Sequence, residues 1–212
     1  MSEIFNAMAA KYDTPEQIAL AHLVTQTLAP YFKDNQHQTL IDIGGGTGLV
    51  TLPLAAYVQH LAIWDTAPNM IEVSEKKISQ LQLANASAEV HDLLQESLQA
   101  KSDAVLLSLV LLHIPDTAPM LEKLYALLQP GGTLYLVDFL KNPAVSHPLV
   151  HNGFDPAAFT QLAETTGFAV TSFTVFHESA SCHVFSYFEK ADRITKKPHL
   201  QKMQGRLFLS TR

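Results

Sequence analysis

The chain has 212 residues, enough for one domain with a full core and a small appendage. Hydrophobic residues make up 47% and charged residues 16%, which excludes a disordered chain. The net charge of −6 argues against a general polyanion binder, and the single cysteine, Cys182, excludes an intrachain disulfide or a cysteine metal cluster.

Met1 to Leu20 lacks the apolar core of a signal peptide, being broken by Asn6, Lys11, Asp13 and Pro15. The longest apolar run, Ala104 to Leu112, contains Ser108 and falls far short of the roughly 20 residues of a bilayer span. The expectation is a soluble, cytoplasmic protein without a membrane span. Thr14-Pro15-Glu16-Gln17 reads as a helix start, with Thr as cap, Pro at the first helical position and Gln three residues on. Ile18, Ala21, Val24 and Leu28 then recur at helical spacing up to Pro30. This amphipathic helix is expected over the open end of a site or beside it.

Leu40 to Ile43 reads as a short buried strand. Gly44-Gly45-Gly46-Thr47-Gly48 reads as a turn with almost no side chains, and Leu49 to Val58 as a helix with Val50, Leu54 and Val58 on one face. Such a unit places backbone N–H groups at a helix N-terminus, where polar or anionic ligand groups are favoured. The missing Cβ atoms let a ligand lie on the backbone. The spacing is G-x-G-x-G, with Leu49 where a dinucleotide fingerprint has its third glycine. Leu49-Val50 after Gly48 also rules out a Walker loop.

His60 to Trp64 is the second strand. It ends at Asp65, about twenty residues past the glycines, where an acid can take two ribose hydroxyls. Thr66 to Ile71 opens a helix with the stripe Met70, Val73, the Lys77 stem, Ile78 and Leu81. Ala88 to Val90 is a third strand, ending at His91-Asp92-Leu93. Asp103 to Ser108 is a fourth, apolar enough to be buried on both faces. After His113, the residues Met120, Leu121, Leu124, Leu127 and Leu128 form a helix ended by Gln129 to Gly132. Thr133 to Asp138 is the fifth strand.

Phe139 to Gly153, with His147 and His151, leaves the carboxyl edge of that strand and is the candidate substrate lid. Asp155 caps the next helix, Pro156 opens it, and Phe154 and Phe159 can staple its entry. Phe168 to Phe176 and His183 to Phe188 read as two strands of a hairpin, and Leu207 to Leu209 as a candidate extra edge strand. Arg193, Lys196, Lys197, Lys202, Arg206 and Arg212 give the tail +6 and leave the body at −12. The tail reads as a solvated or packed segment offsetting the acidic body, rather than an arm for nucleic acid or lipid.

Several of these segments together resemble the class I S-adenosylmethionine (SAM) dependent methyltransferases, in their ubiquinone/menaquinone-type, small-molecule branch. They are Phe5…Ala9…Tyr12-Asp13, D-I-G-G-G-T-G from Asp42, D-x-x-P-x-M-I from Asp65, Leu109 to Asp116, and L-L-x-P-G-G-T-L-x-L-x-D from Leu127. The resemblance covers roughly Phe5 to Lys190. It implies a Rossmann-like α/β fold: a seven-stranded, mostly parallel sheet, antiparallel in its last strand, with helices on both faces. It further implies SAM as cofactor, leaving as S-adenosylhomocysteine. The residues it assigns to the cofactor are Tyr12, Asp42, Gly44, Gly45, Gly46, Asp65, Thr66, Met70, Asp92, Leu93, Ser108 and Leu109. Tyr12 either lies over the methionine portion or merely anchors its helix, and both readings stay open. Asp92 departs from the pattern in following His91 instead of glycine.

The acceptor expected is a small molecule beneath an N-terminal helical cap, residues 1–35 of a domain spanning 1–190, with 191–212 as a basic tail. Candidate catalytic residues are His113, His147 and His151. Methyl transfer from a sulfonium is an in-line displacement with a neutral leaving group, so alignment matters most, and a base is needed only for a protonated nucleophile. No metal site is expected: Pro148 interrupts the spacing of His147 and His151, and no paired carboxylate lies at ligand spacing. The chain is expected as a monomer or homodimer without a nucleic-acid partner. The alternatives are a NAD(P)-dependent oxidoreductase and a methyltransferase acting on RNA or protein.

Overall fold

Local chemistry sets the elements, and the sheet then sorts them. The computed structural model describes residues 2–34, 36–97, 99–142, 152–177 and 183–190. Helix α1 (Ser2–Met8) and a single 3₁₀ turn lead to α2 (Pro15–Phe32). The Thr14 hydroxyl accepts the Gln17 N–H, as its place in the sequence demands. Helix α2 runs on through Pro30, where a stop is expected. Phe32 is fully buried against Tyr135, with ring centroids 4.8 Å apart, and that packing outweighs the proline's lost bond. The buried stripe is Ala21, Val24, Leu28 and Phe32; Ile18, expected on it, is exposed.

The strands are β1 (Thr39–Ile43), β2 (His60–Asp65), β3 (Ala86–Val90), β4 (Ser102–Ser108) and β5 (Leu128–Phe139). They form a parallel sheet in the order β3-β2-β1-β4-β5. Side chains alternate strictly across it. Ile41, Ile43, Val105 and Leu107 enter one core with α4 (Thr117–Leu127) and α5 (Pro156–Thr166). Leu40, Leu106, Leu61 and Ile63 enter the other with α2 and α3 (Pro68–Gln80). Helices thus cover both faces, and the apolar runs follow from burial on both sides. Strands β6 (Phe168–His177) and β7 (His183–Lys190) pair antiparallel with each other.

Two local expectations are corrected. Leu49 to Val58 is not an α-helix: only Leu52–Tyr57 is helical, and it is 3₁₀. Pro53 lacks an N–H, and its ring crowds the carbonyl four residues back, which disfavours an α-turn through it. Gln129 to Gly132 is not a separate turn but an outward bulge inside β5, because Ser102 pairs with Leu128 and Ala104 with Thr133. The start of α5 follows expectation. Asp155 accepts the Ala158 N–H at 2.9 Å, and the Phe154 and Phe159 rings meet at 5.4 Å. The candidate edge strand at Leu207 to Leu209 and the basic tail lie outside the described residues.

Candidate functional site

Strand order reverses between β1 and β4, and the carboxyl ends of the strands there open a crevice, the usual ligand position in such a sheet. A cavity of about 640 Å³ fills it, within the range of small-molecule sites. Its lining is mixed: Gly44, Gly46, Asp65, Thr66 and Asp92 contribute polar groups, and Phe5, Met8, Leu112, Met120 and Phe139 apolar ones, with His113 among them. Tyr12, Met70, Leu93, Ser108 and Leu109 also line it.

The glycine loop owes its shape to side chains around it, since no α-helix follows. Gly46 N–H donates to Asp65 Oδ2 at 3.0 Å, and its carbonyl accepts from Ser74 Oγ at 2.6 Å. Lys77 Nζ donates to Thr47 O at 2.8 Å and pairs with Asp13 at 2.6 Å, while the Thr47 hydroxyl donates to Asp13 at 2.6 Å. The N–H groups of Gly44 and Gly45 are taken by Trp64 O. Sequence reasoning missed Asp13, Thr51, Ser74 and Lys77 in these roles. A buried serine one turn before a lysine, inside an apolar stripe, was the available signal. Leu81, placed on that stripe, is exposed instead.

Gly46 has φ +56°, and a Cβ there would meet nothing closer than 3.9 Å. The space above its Cα is open cavity, so a ligand can lie on the backbone there. Asp65 Oδ1 accepts the Ala67 N–H at 2.8 Å. Burial raises the Asp65 pKa, opposed by the backbone N–H groups of Ala67, Gly46 and Thr66. Its carboxylate retains lone pairs for ligand hydroxyls. Leu109, at the end of β4, has φ +59°, rare for a side-chain-bearing residue and typical of functional sites.

Asp42 and Gly45, expected at the cofactor, line a smaller space of about 70 Å³ that adjoins the large cavity through Tyr12, Gly44, Gly46, Ser108 and Leu109. Asp42 is 2% exposed. Its Oδ2 accepts the Thr51 hydroxyl at 2.6 Å, and its Oδ1 has no partner. The alternation of β1 puts this side chain on the face of the sheet that α2 covers. Burial pushes its carboxyl up to about 7, with the Thr51 hydroxyl opposing and Asp65 adding repulsion. Tyr12 lies at the cavity with its ring edge-on to Phe5, 6.3 Å away; burial raises its phenol pKa, as do Asp65 and Asp13. His113 lines the cavity 5.3 Å from Phe5 and edge-on to it. His147 and His151 lie outside the described residues, as does Cys182. Among the described residues no group of acids, histidines and cysteines could hold a metal ion, and no helix is long and apolar enough to cross a membrane.

Helix α1 closes one side of the cavity. Its Asn6 and the Asn69 of α3 exchange two hydrogen bonds, Asn69 N–H to Asn6 Oδ1 at 2.7 Å and Asn69 Nδ2 to Asn6 O at 3.0 Å. Helix α3 has no side-chain cap of its own, so Asn6 caps it from 63 residues away.

A glycine loop, an acid at the end of β2 and a switch-point cavity are the features of an α/β ligand-binding fold. Residues 41–134 match the family described as "Methyltransferase domain". An uncharacterised methyltransferase of Schizosaccharomyces pombe is 23% identical over 82% of this chain and 75% of its own length. The ubiquinone biosynthesis O-methyltransferase of Xylella fastidiosa is 33% identical over 46% of this chain, which spans only 40% of that relative. The solved complex of DhpI with S-adenosylhomocysteine superposes with TM-score 0.74 at 19% identity, covering 91% of this chain and 96% of the other. Together these likenesses support a class I SAM-dependent methyltransferase with SAM as its cofactor.

Proposed function

We propose that the chain transfers the methyl group of SAM to a small, largely apolar acceptor, and that the twelve residues named for the cofactor divide into two groups. Gly44, Gly46, Asp65, Thr66, Met70, Asp92, Leu93, Ser108, Leu109 and Tyr12 would face the cofactor, while Asp42 and Gly45 support the loop from below. The observation that carries this is one cavity with a mixed lining: an open glycine backbone and a carboxylate at Gly46 and Asp65, with apolar walls from Phe5, Met120 and Phe139. The open space over Gly46, the Asp65 lone pairs and the backbone of Leu93 fit a ribonucleoside. SAM supplies an electrophilic methyl on a positive sulfur. The chain's own work is alignment and exclusion of water, which the preset loop and the α1 cover are suited to do. His113, on the cavity wall beside Phe5, would take the acceptor's proton where the acceptor carries one. His147 and His151 remain further candidates on the segment after β5.

The ubiquinone relative points the acceptor class toward quinol-like or phenolic rings. The proposed domain is 1–190, with 1–35 as cap and 191–212 as tail, in a cytoplasmic protein that is a monomer or homodimer. A seven-stranded sheet completes the proposal. In its support, the β7 backbone runs antiparallel to β5, with Leu134 opposite Phe188, and β6 lies outside it. The oxidoreductase alternative would set a pyrophosphate on the loop. The N–H groups it needs there, those of Gly44, Gly45, Gly46 and Gly48, are all bonded within the protein.

Titration calorimetry with S-adenosylhomocysteine, NAD and NADP tests the cofactor site, and Asp65→Asn tests the ribose contact while keeping an oxygen for the loop. Binding of the homocysteine nucleoside alone, weakened at least tenfold in the variant, is expected. Radiolabelled methyl transfer to a phenol and quinol panel, beside RNA and protein, tests the acceptor. Label in RNA or protein but in none of the small molecules would refute that part.

A further inference from the structure

His91, where the family pattern has glycine, belongs to a bonded cluster that the cofactor reading leaves unexplained. Glu96 Oε1 accepts the Asp92 N–H at 2.9 Å, and Glu96 Oε2 accepts from His91 Nδ1 at 2.7 Å. The other ring nitrogen, Nε2, lies 3.4 Å from Glu89. The His91 ring packs on Trp64 with centroids 4.6 Å apart, and the His91 backbone N–H donates to Asp65 O, tying the segment to the end of β2. Lys123, on α4, donates to Glu96 O at 2.8 Å. The Glu96 carboxyl is held below the usual carboxylate range by the Asp92 N–H first and by His91 second, so it keeps its charge at neutral pH.

These bonds determine what the segment can show a ligand. The N–H groups of Asp92, Leu94, Gln95 and Glu96 are all used inside the turn. Asp92 spends one lone-pair direction on Leu94 N–H, and its carboxylate has room for another donor. Its backbone cannot rotate without breaking the two bonds made by Glu96. A side chain that accepts one exocyclic amino group discriminates only if it is held within about half an ångström of its working position.

We propose that Glu96 is a positioning residue for base recognition: through Asp92 N–H and His91 it fixes the carboxylate of Asp92 against the 6-amino group of the cofactor's adenine. This rests on the SAM-site reading above. It adds that selectivity for adenine over other purines depends on a side chain that never touches the base.

The test measures two affinities on the full chain, for S-adenosylhomocysteine and for its analogue with hydrogen in place of the 6-amino group. Wild type is expected to prefer the amino form by about tenfold, the size of one charge-assisted hydrogen bond. Glu96→Ala is expected to shrink that preference to about twofold. Glu96→Gln, whose amide oxygen can still accept the Asp92 N–H, should keep most of it. A merely structural role would weaken both ligands equally and leave the ratio alone. An unchanged ratio in Glu96→Ala, or equal loss for both ligands, overturns the proposal. Should Glu96→Ala not fold, Glu96→Asp, which withdraws the carboxylate by one methylene, reads the same ratio with the same two outcomes. A wild type that binds S-adenosylhomocysteine without preferring the amino form overturns this inference alone. A wild type that binds neither ligand overturns the site reading as well.

Discussion

Asp42 lets the physics of the loop be tested without any ligand. Its carboxyl titrates near 7 in the folded chain because it is buried, against about 3.9 in an unfolded one. The folded state therefore keeps a proton that the unfolded state releases above about pH 4. Stability must fall as pH rises through this window, and the loss is complete above about pH 7. A shift of roughly three units corresponds to about 4 kcal/mol at full development, of which about 2–3 kcal/mol accrues between pH 5 and pH 8. Asp42→Asn removes the ionisation and keeps an oxygen for the Thr51 hydroxyl. It also puts an amide N–H where Oδ1 has no partner, at a cost of about 1–3 kcal/mol at every pH.

The variant is thus expected to be the less stable protein near pH 5 and to draw level or lead by pH 8. Urea unfolding of both proteins at pH 5, 6, 7 and 8 measures the difference directly, and shared titrations cancel in it. A difference that stays constant across the range would refute the reasoning. It would mean that Asp42 is ionised throughout and stabilised by something other than Thr51.

Gly44 and Gly46 separate space from strain. Gly44→Ala drives a methyl to within 2.5 Å of a Val110 methyl at φ +69°, and unfolding should show a loss of about 1–3 kcal/mol. Gly46→Ala meets no atom inside 3.9 Å, so stability should fall by only about 1 kcal/mol for the φ of +56°. Its methyl enters the cavity, however, and calorimetry should show S-adenosylhomocysteine binding weakened tenfold or more. Asn6→Ala removes the distant cap of α3, and the expected cost is about 0.5–2 kcal/mol. Thermal unfolding reads it as a drop of roughly 2–4 °C per kcal/mol, and protease nicking within α1 should quicken.

The sheet was legible because both of its faces are buried. Leu40 to Ile43 and Asp103 to Ser108 are apolar runs bounded by polar turns, and no helix fits so few residues. The Asp65, Asp92 and Leu93 placements were legible for a related reason: strand ends in a parallel sheet share one edge, so an acid closing a strand lands at the cavity. The helix after the glycines was not legible. Its apolar spacing suits an α-helix, but Pro53 disfavours the turn, and the chain takes 3₁₀ geometry there, whereas α2 absorbs Pro30. Proximity in sequence to the glycines says nothing of the face on which the Asp42 side chain falls; strand alternation decides that, and puts it on the α2 face beside a smaller adjoining space. Asn6 and Lys77 act across 63 and 30 residues, distances at which neither spacing nor propensity carries a signal.

The missing α-helix changes how the loop can work. A helix N-terminus would offer free N–H groups and a partial positive charge to a bound anion. Here Trp64 O takes two of the loop's N–H groups, Gly45 O takes that of Gly48, and Asp65 takes that of Gly46. The loop is therefore a shaped floor and not an electrophilic cradle. It suits a ligand that carries positive charge above acids better than one that brings a phosphate. Asp65 and Asp92 at the cavity supply that acidic surrounding, and Lys77 at the loop is paired with Asp13. A sulfonium cofactor is served by both features, a backbone it can lie on and a field that does not repel its cation. Asp65 would serve the ribose of a dinucleotide equally well; what disfavours a pyrophosphate is that the loop's glycine N–H groups are already bonded within the protein.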